Sequence, residues 1–390
     1  MPKNLVICCD GTNNQFGSNN TNVVRLVQVL NRNPREQVTY YDPGVGTFPE
    51  PGFATRIGKK LSEIMGLAFG LGLTRKIGEA YSFLMDHYEE GDRIFIFGFS
   101  RGAYTARAVA GVLFQFGLLP AGSQNLVPYL LRLSKEVNRL NGPGSGASKK
   151  YWDVTRAFRA TFARTCQKPA PKVHYVRVHF MGLWDTVSSV GWIWDPIHFP
   201  YTARNPCVEI LRHAVAIDER RWFFRQNQWR SPNDASMQDV KERWFPGVHC
   251  DIGGGYAEDE GGLWQTAFIW MLIEAHKAGL LVDTRQVRGV LHKTRIERPA
   301  WANQKHESLT WQWWLAEFFP KLQWVAPGVH RPRVGLFRPR TIPEGALLHR
   351  SALRRIRRPQ LQYRPKNLSP EFQALVNALP KVPATLPYHT

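Results

Sequence analysis

The sequence has no apolar stretch long enough to cross a bilayer: the longest, near Ile64 to Leu73, is broken by glycines and falls well short of the roughly 20 residues a spanning helix needs. An integral membrane protein is therefore not expected. Cysteine is scarce, and the five present, Cys8, Cys9, Cys166, Cys207 and Cys250, have no CxxC spacing and lie mostly in apolar or tightly packed stretches. That argues against a disulfide frame or a zinc site and for reduced core thiols. Only five apolar residues, Leu5 to Cys9, precede Asp10, too few for the core of a secretory signal. The expectation is a chain without signal peptide or transmembrane segment, made soluble in the cytoplasm and exported, if at all, by a route that needs no signal peptide. Acidic residues are also few. Against 51 Lys and Arg there are 31 Asp and Glu, a formal charge of +20, which suggests an anionic partner or surface unless the charge serves solubility alone.

With 390 residues, 43% hydrophobic and 21% charged, the chain has the composition of a folded globular protein: one enlarged catalytic domain, or one with an appended subdomain. Leu5 to Cys9 reads as a buried strand that leaves its sheet at Asp10-Gly11-Thr12. Asn22 to Asn31 carries Val23, Leu26, Val27 and Leu30 on one helical face. Val38 to Tyr41 is a second strand, Gly44 to Gly58 a Gly/Pro-rich loop, Leu61 to Tyr88 a helical region and Arg93 to Phe97 a third strand. A second series follows: a strand at Val173 to Met181, a helix near Cys207 to Ala216 and a strand-like stretch at Glu242 to Cys250. This alternation predicts an α/β fold with a mostly parallel sheet and helices on both faces. Leu126 to Thr165, helical but broken by Asn141-Gly142-Pro143-Gly144-Ser145-Gly146, reads as a cap insertion. The predicted division is a catalytic domain over 1–275, with the cap at 126–165, and an irregular Trp- and Arg-rich extension over 276–390 packed on it.

The strongest chemical signal is Gly98-Phe99-Ser100-Arg101-Gly102, entered by the apolar strand Ile94 to Phe97 and left by an Ala-rich helix. A serine on such a turn sits in a crowded backbone, which glycines two residues before and after relieve, and the new helix aims N–H groups at a developing oxyanion. Ser100 is the candidate nucleophile. It needs a base and a carboxylate, expected in the order Ser, Asp, His. Asp185, just past the end of an apolar strand, is the candidate carboxylate, with Asp251 as competitor or loop brace. His249, before the glycine-rich Gly253-Gly254-Gly255, is the candidate base and His349 its rival, while His174 and His179 read as structural. The amides of Gly11, Thr12 and Arg101 are the candidate oxyanion hole. Asp10 reads as a cap or loop brace: a phosphotransfer site would want a second aspartate where Thr12 stands, and no His/Asp/Glu cluster accompanies it as a metal site would require.

The ordered set Cys9-Asp10-Gly11-Thr12, Gly98 to Arg107, Gly182-Leu183-Trp184-Asp185-Thr186-Val187 and Pro246 to Tyr256 resembles the uncharacterised hydrolase family DUF2235, which includes the catalytic domain of the Tle1-like type VI secretion phospholipase effectors. The resemblance spans roughly residues 3 to 275. It implies an α/β-hydrolase core with Ser100, Asp185 and His249 as the triad, ester hydrolysis as the reaction and phospholipid as a substrate class. Ile342 to Ser351, which contains His349, also resembles a family feature.

The expected chemistry is acyl transfer through Ser100 followed by hydrolysis, without metal or organic cofactor. A non-lipid esterase of the same chemistry and a non-catalytic basic binder are the alternatives; no nucleic-acid motif favours the latter. The sequence points to no particular immunity or secretion partner. From Arg331 to Lys366 eleven Lys or Arg face Glu344 alone, just after Trp311, Trp313, Trp314, Phe318, Phe319 and Trp324, so this region is expected to dock on anionic membranes.

Overall fold

The computed structural model describes residues 2–11, 17, 19–44, 72–140, 147–164, 176–187, 199–229, 238–292, 299–318, 320–326, 329–368, 370 and 372–374. Six strands, β1 (Asn4–Cys9), β2 (Gln37–Asp42), β3 (Arg93–Phe99), β4 (Val178–Trp184), β5 (Val208–Ala216) and β6 (Asp239–Phe245), form one sheet in the order β2-β1-β3-β4-β5-β6. Every pairing is parallel. The chain runs outward from β1 to β2 and then returns to β3 on the other side of β1. Sites of open parallel sheets form at such a reversal of winding, and here Asp10 and Ser100 follow the carboxyl ends of β1 and β3.

Residues of alternate parity along β1 and β3 separate two cores. Leu5, Ile7, Cys9, Ile94 and Ile96 pack against α2 (Leu73–His87) and α3 (Arg101–Phe116). Val6, Cys8, Phe95, Phe97 and Phe99 pack against α1 (Asn22–Val29) and, beyond the elbow, residues of helix Trp264–Lys277. The segment expected as a cap supplies α4 (Val127–Leu140) and α5 (Ala147–Phe162), which pack on α2 and α3. The expected loop at Gly44 to Gly58 and the stretch Leu61 to Leu71 lie outside the described residues beyond Gly44.

Two sequence expectations are corrected. Cys207 to Ala216 is not a helix but β5, held between β4 and β6. Its run Leu211 to Ala216 is buried on both faces, so the alternation that marks a half-exposed strand is absent and a short apolar run reads equally as helix. The strand expected to reach Cys250 stops at Phe245, where Pro246 and Gly247, with φ +118°, turn the chain into the five-residue helix α6 (His249–Gly253). His249 therefore opens a helix instead of closing a strand.

The C-terminal part is more regular than its sequence suggests. After α7 (Trp264–Lys277) come α8 (Thr284–His292), α9 (Trp311–Glu317), an antiparallel hairpin of β7 (Lys321–Ala326) and β8 (Val329–Arg333), and α10 (Arg350–Ile356). The Trp244 amide donates to the Leu347 carbonyl and the His349 amide to that of Trp244, covering the outer edge of β6. Ile342, Leu348, Ala352, Ile356 and Tyr363 bury Val215, Ile217 and Trp244 in a third core. No helix among the described residues is long and apolar enough to cross a membrane.

Candidate active site

Ser100 lies between β3 and α3 with φ +59° and ψ −121°, a conformation that a side-chain-bearing residue adopts only when its surroundings impose it. The imposing contacts are backbone. A Cβ on Gly98 would lie 2.5 Å from the Gly102 carbonyl oxygen, and one on Gly102 would lie 2.2 Å from the Cys9 oxygen and 2.4 Å from the Asp10 oxygen. The first turn of α3 is thus seated directly on the end of β1. Gly102→Ala is expected to lower stability by about 3 kcal/mol, since main chain on both sides cannot yield, and a urea midpoint unchanged from wild type would show that the seat relaxes.

Main-chain bonds tie this elbow to β4. The Ser100 amide donates to the Trp184 carbonyl at 3.1 Å and the Val187 amide donates to the Ser100 carbonyl at 3.3 Å, so the two bonds bracket Asp185. Asp185 is fully buried with φ +39°. Its Oδ2 accepts from His249 Nδ1 at 2.6 Å and Arg340 Nη2 at 2.9 Å, and its Oδ1 accepts from Arg340 Nη1 at 2.6 Å and the Ala216 amide at 2.9 Å. Burial alone would push this carboxyl up. The Arg340 guanidinium and the His249 hydrogen bond outweigh it and hold Asp185 well below the usual carboxylate range.

The amide of His249 donates to Glu219 Oε2 at 3.1 Å, and its ring packs 4.6 Å from Phe99 and 4.9 Å from Phe224. Since an ionised Asp185 only accepts, the ring proton is on Nδ1 and Nε2 is the basic nitrogen. Burial lowers the pKa of this ring below its ordinary 6.5, with the Arg221 charge assisting and Asp185 opposing, so the imidazole is neutral at pH 7. Glu219 is itself buried and ion-paired with Arg221 at 2.9 Å; burial raises its pKa, but Arg221 above all brings it down to about 2. The Arg221 guanidinium stacks 3.6 Å above the Phe224 ring.

The other candidates are placed as follows. Asp251 accepts from the Val248 amide and pairs with His306 at 2.6 Å, and the His306 ring stacks 3.7 Å from Tyr256. This is a brace for the turn that presents His249. Asp10 accepts from Thr21 Oγ1 at 2.7 Å, Tyr41 Oη at 3.0 Å and the Gly11 amide at 2.6 Å. Arg101 opens α3 at its positive end, and Thr12 lies outside the described residues. His349 caps α10, its Nδ1 accepting from the Ser351 amide, and its ring stacks 4.2 Å from Phe245; burial, then Arg350 and Arg243, lower its pKa to about 4. His179 bonds Glu209 and the Ala278 carbonyl, while His174 lies outside the described residues. Among the described residues no group of three His, Cys, Asp or Glu is placed to hold a metal. Cys8, Cys9, Cys207 and Cys250 are free thiols.

Arg340 and Glu219 were not singled out in the sequence. Arg340 is one basic residue among eleven in its stretch, and nothing local marks it. Glu219 carried a signal, because Asp218-Glu219-Arg220-Arg221 follows the carboxyl end of β5, where sites of parallel sheets gather, but that strand read as a helix.

Residues 3–274 match the family described as T6SS, phospholipase effector Tle1-like, catalytic domain. An uncharacterized protein of Saccharomyces cerevisiae is 35% identical over 233 residues, covering 57% of this chain and 32% of the yeast protein. Among solved structures, an uncharacterized protein from Pseudomonas aeruginosa is 18% identical, with 97% of this chain and 60% of that one covered at a TM-score of 0.40. The Tle1 effector bound to the VgrG spike of the type 6 secretion system is 20% identical, with 67% and 53% covered at a TM-score of 0.33. This chain spans less than two thirds of each of these three proteins.

Proposed function

Because the chain belongs to the Tle1-like family of type VI secretion phospholipase effector catalytic domains, we propose that it is a serine hydrolase of the α/β-hydrolase type acting on phospholipid esters, with Ser100 as nucleophile, His249 as base and Asp185 as the carboxylate that orients it. The observation that carries the reading is the 2.6 Å Asp185–His249 hydrogen bond, formed beside an elbow whose main chain brackets Asp185.

His249 Nε2 takes the hydroxyl proton as Ser100 Oγ attacks the ester carbonyl, and the imidazolium is stabilised by Asp185. The protonated ring then gives its proton to the leaving alcohol, the same nitrogen activates water, and the acyl group departs as a carboxylic acid. The Arg101 amide, at the positive end of the α3 dipole, is the first proposed oxyanion donor. The Asp10-Gly11-Thr12 turn is the proposed source of the second, with the Gly11 amide held by Asp10 in the resting geometry. Products from a mixed lipid extract, identified by mass, test the proposal together with fluorophosphonate labelling of Ser100. Free fatty acid and lysolipid support it. Labelling with turnover of small chromogenic esters but no lipid would keep the hydrolase and remove phospholipid as substrate.

The basic, aromatic C-terminal part is the proposed contact with anionic lipid. Trp311, Trp314 and Phe318 are 72%, 54% and 58% exposed, and Arg333 and Arg338 are exposed beside Val334 and Leu336. On the inner side of the same helix, Trp313 packs 5.3 Å from Phe224, whose ring reaches His249. Trp313 and Phe224 thus link the helix that bears the exposed aromatics to the ring of the proposed base. Not all of the basic residues turn outward: Arg340 and Arg355 are buried, and Phe319 and the side chain of Trp324 lie outside what is described. Each exposed arginine near an anionic surface contributes about 1 kcal/mol, screened over about 10 Å. Vesicle cosedimentation is expected to rise with anionic lipid, fall with salt and drop when Trp311 and Trp314 are replaced by Ala. Equal binding to neutral vesicles would exclude the electrostatic contribution.

A further inference from the structure

We propose that Arg340 is a positioning residue of the acid–base pair: from beyond the matched family domain, it grips Asp185 and keeps its carboxylate aimed at His249, so that the C-terminal segment completes the active site. This rests on the assignment of Ser100, His249 and Asp185 made above.

The grip is bidentate, one guanidinium nitrogen on each carboxylate oxygen, at 2.6 and 2.9 Å. Such a fork fixes the plane of the carboxylate, and with it the direction of the lone pair that meets His249 Nδ1. Arg340 is itself fixed. Its Nε donates to the Phe224 carbonyl at 3.0 Å, its Nη1 also to the Ala216 carbonyl at 3.3 Å, and its Nη2 also to Phe224. Asn367 Nδ2 donates to the Arg340 carbonyl at 3.0 Å and to the Ile217 carbonyl at 2.9 Å, joining the segment that carries Arg340 to the end of β5. Phe224, which receives the guanidinium, also walls the His249 ring.

The arrangement has an electrostatic consequence. Asp185 and Glu219 bring two negative charges to His249 and Arg221 one positive, while Arg340 compensates Asp185 directly, so that each acid holds one guanidinium. The quartet is balanced around a neutral imidazole, the form a base requires. Removing Arg340 leaves one buried negative charge uncompensated, and the Asp185–His249 pair answers by binding a proton. His249 then begins the reaction already protonated unless the pH is raised. The domain matched by the family ends at residue 274, and Arg340 supplies this compensation from beyond it.

The test uses the full chain carrying Arg340→Ala, Arg340→Lys or no substitution, with kcat and KM followed across pH and the His249 ring titrated by NMR. In the unsubstituted chain the midpoint of the acid limb is expected on the acid side of an ordinary histidine's titration, because burial lowers the pKa of the ring. For Arg340→Ala that midpoint and the ring titration both move up by about one pH unit. At pH 6 to 7 kcat falls on the order of 100-fold with KM little changed, and added guanidinium ion restores part of it. Arg340→Lys keeps the charge without the fork, so its midpoint stays near that of the parent while kcat remains low. A folded Arg340→Ala with an unmoved midpoint and ring titration overturns the proposal, as does a loss that guanidinium does not relieve. If Arg340→Ala does not fold, Arg340→Lys decides, and parental kcat there overturns it. Hydrolysis that survives Ser100→Ala would instead sink the nucleophile assignment, and the ring titration would still report on Arg340.

Discussion

Ester hydrolysis by Ser100→Ala is expected to fall by about 10⁶-fold while the protein stays folded, because the members of a nucleophile–base pair act as one unit and removing either disables both. The fold should tolerate the change. Alanine matches the serine in size, and the glycines at 98 and 102, which let the elbow close, are untouched. Far-UV and near-UV circular dichroism should be unchanged, fluorophosphonate labelling should vanish, and any remaining hydrolysis should reflect the oxyanion donors and binding alone. Retention of more than about a tenth of the activity would show that another group attacks the ester.

Asp185→Asn is expected to act on two properties at once. Activity should fall by about 10⁴-fold, because an amide NH₂ facing His249 Nδ1 forces the ring into the wrong tautomer. Stability should fall as well. Arg340 would keep its buried position but lose its anion, and breaking one side of a buried ion pair costs about 3–5 kcal/mol. His249→Ala should lose comparable activity with less destabilisation, since the Asp185–Arg340 pair survives it. His349→Ala should retain most of the activity and lose about 1 kcal/mol of stability with the cap of α10. Denaturant midpoints and kcat/KM for the three variants check the whole pattern. An indispensable His349 beside a dispensable His249 would move the base to the C-terminal part.

Much of this was legible in the chain, and the reason is local. The elbow is written within five residues, because a strand, a tight turn and a helix adjoin there in sequence, although the main chain that Gly102 must clear belongs to the distant β1. The first three strands and the first helix were readable for the same reason: Val23, Leu26, Val27 and Leu30 repeat at helical spacing, and Leu5 to Cys9 and Arg93 to Phe97 are short runs ended by polar or glycine-rich turns. Asp185 stood out because it directly follows such a run.

Legibility failed where the partner was remote. Burial of both faces erased the alternation along Leu211 to Ala216 of β5, so it read as a helix and hid Glu219 just past its end. The turn after β6 depends on Pro246 and on Gly247 at φ +118°, and its outcome, a five-residue helix with His249 in its first turn, is too short to leave a periodic signature. The extension looked irregular because its regularity is relational: His349 and Leu347 pair with the edge of β6, which no pattern within residues 342–351 announces.

The sequence by itself determined the class of sheet and marked the Gly98-Phe99-Ser100-Arg101-Gly102 turn between a strand and a helix, because both leave steric or periodic signatures within short windows. Only the tertiary structure decided which of eleven basic residues between Arg331 and Lys366 enters the site, for Arg340 meets Asp185 across 155 positions of chain. An arginine in solvent and an arginine compensating a buried carboxylate are identical in sequence. What separates them is the low dielectric around Asp185, a property of the folded molecule alone.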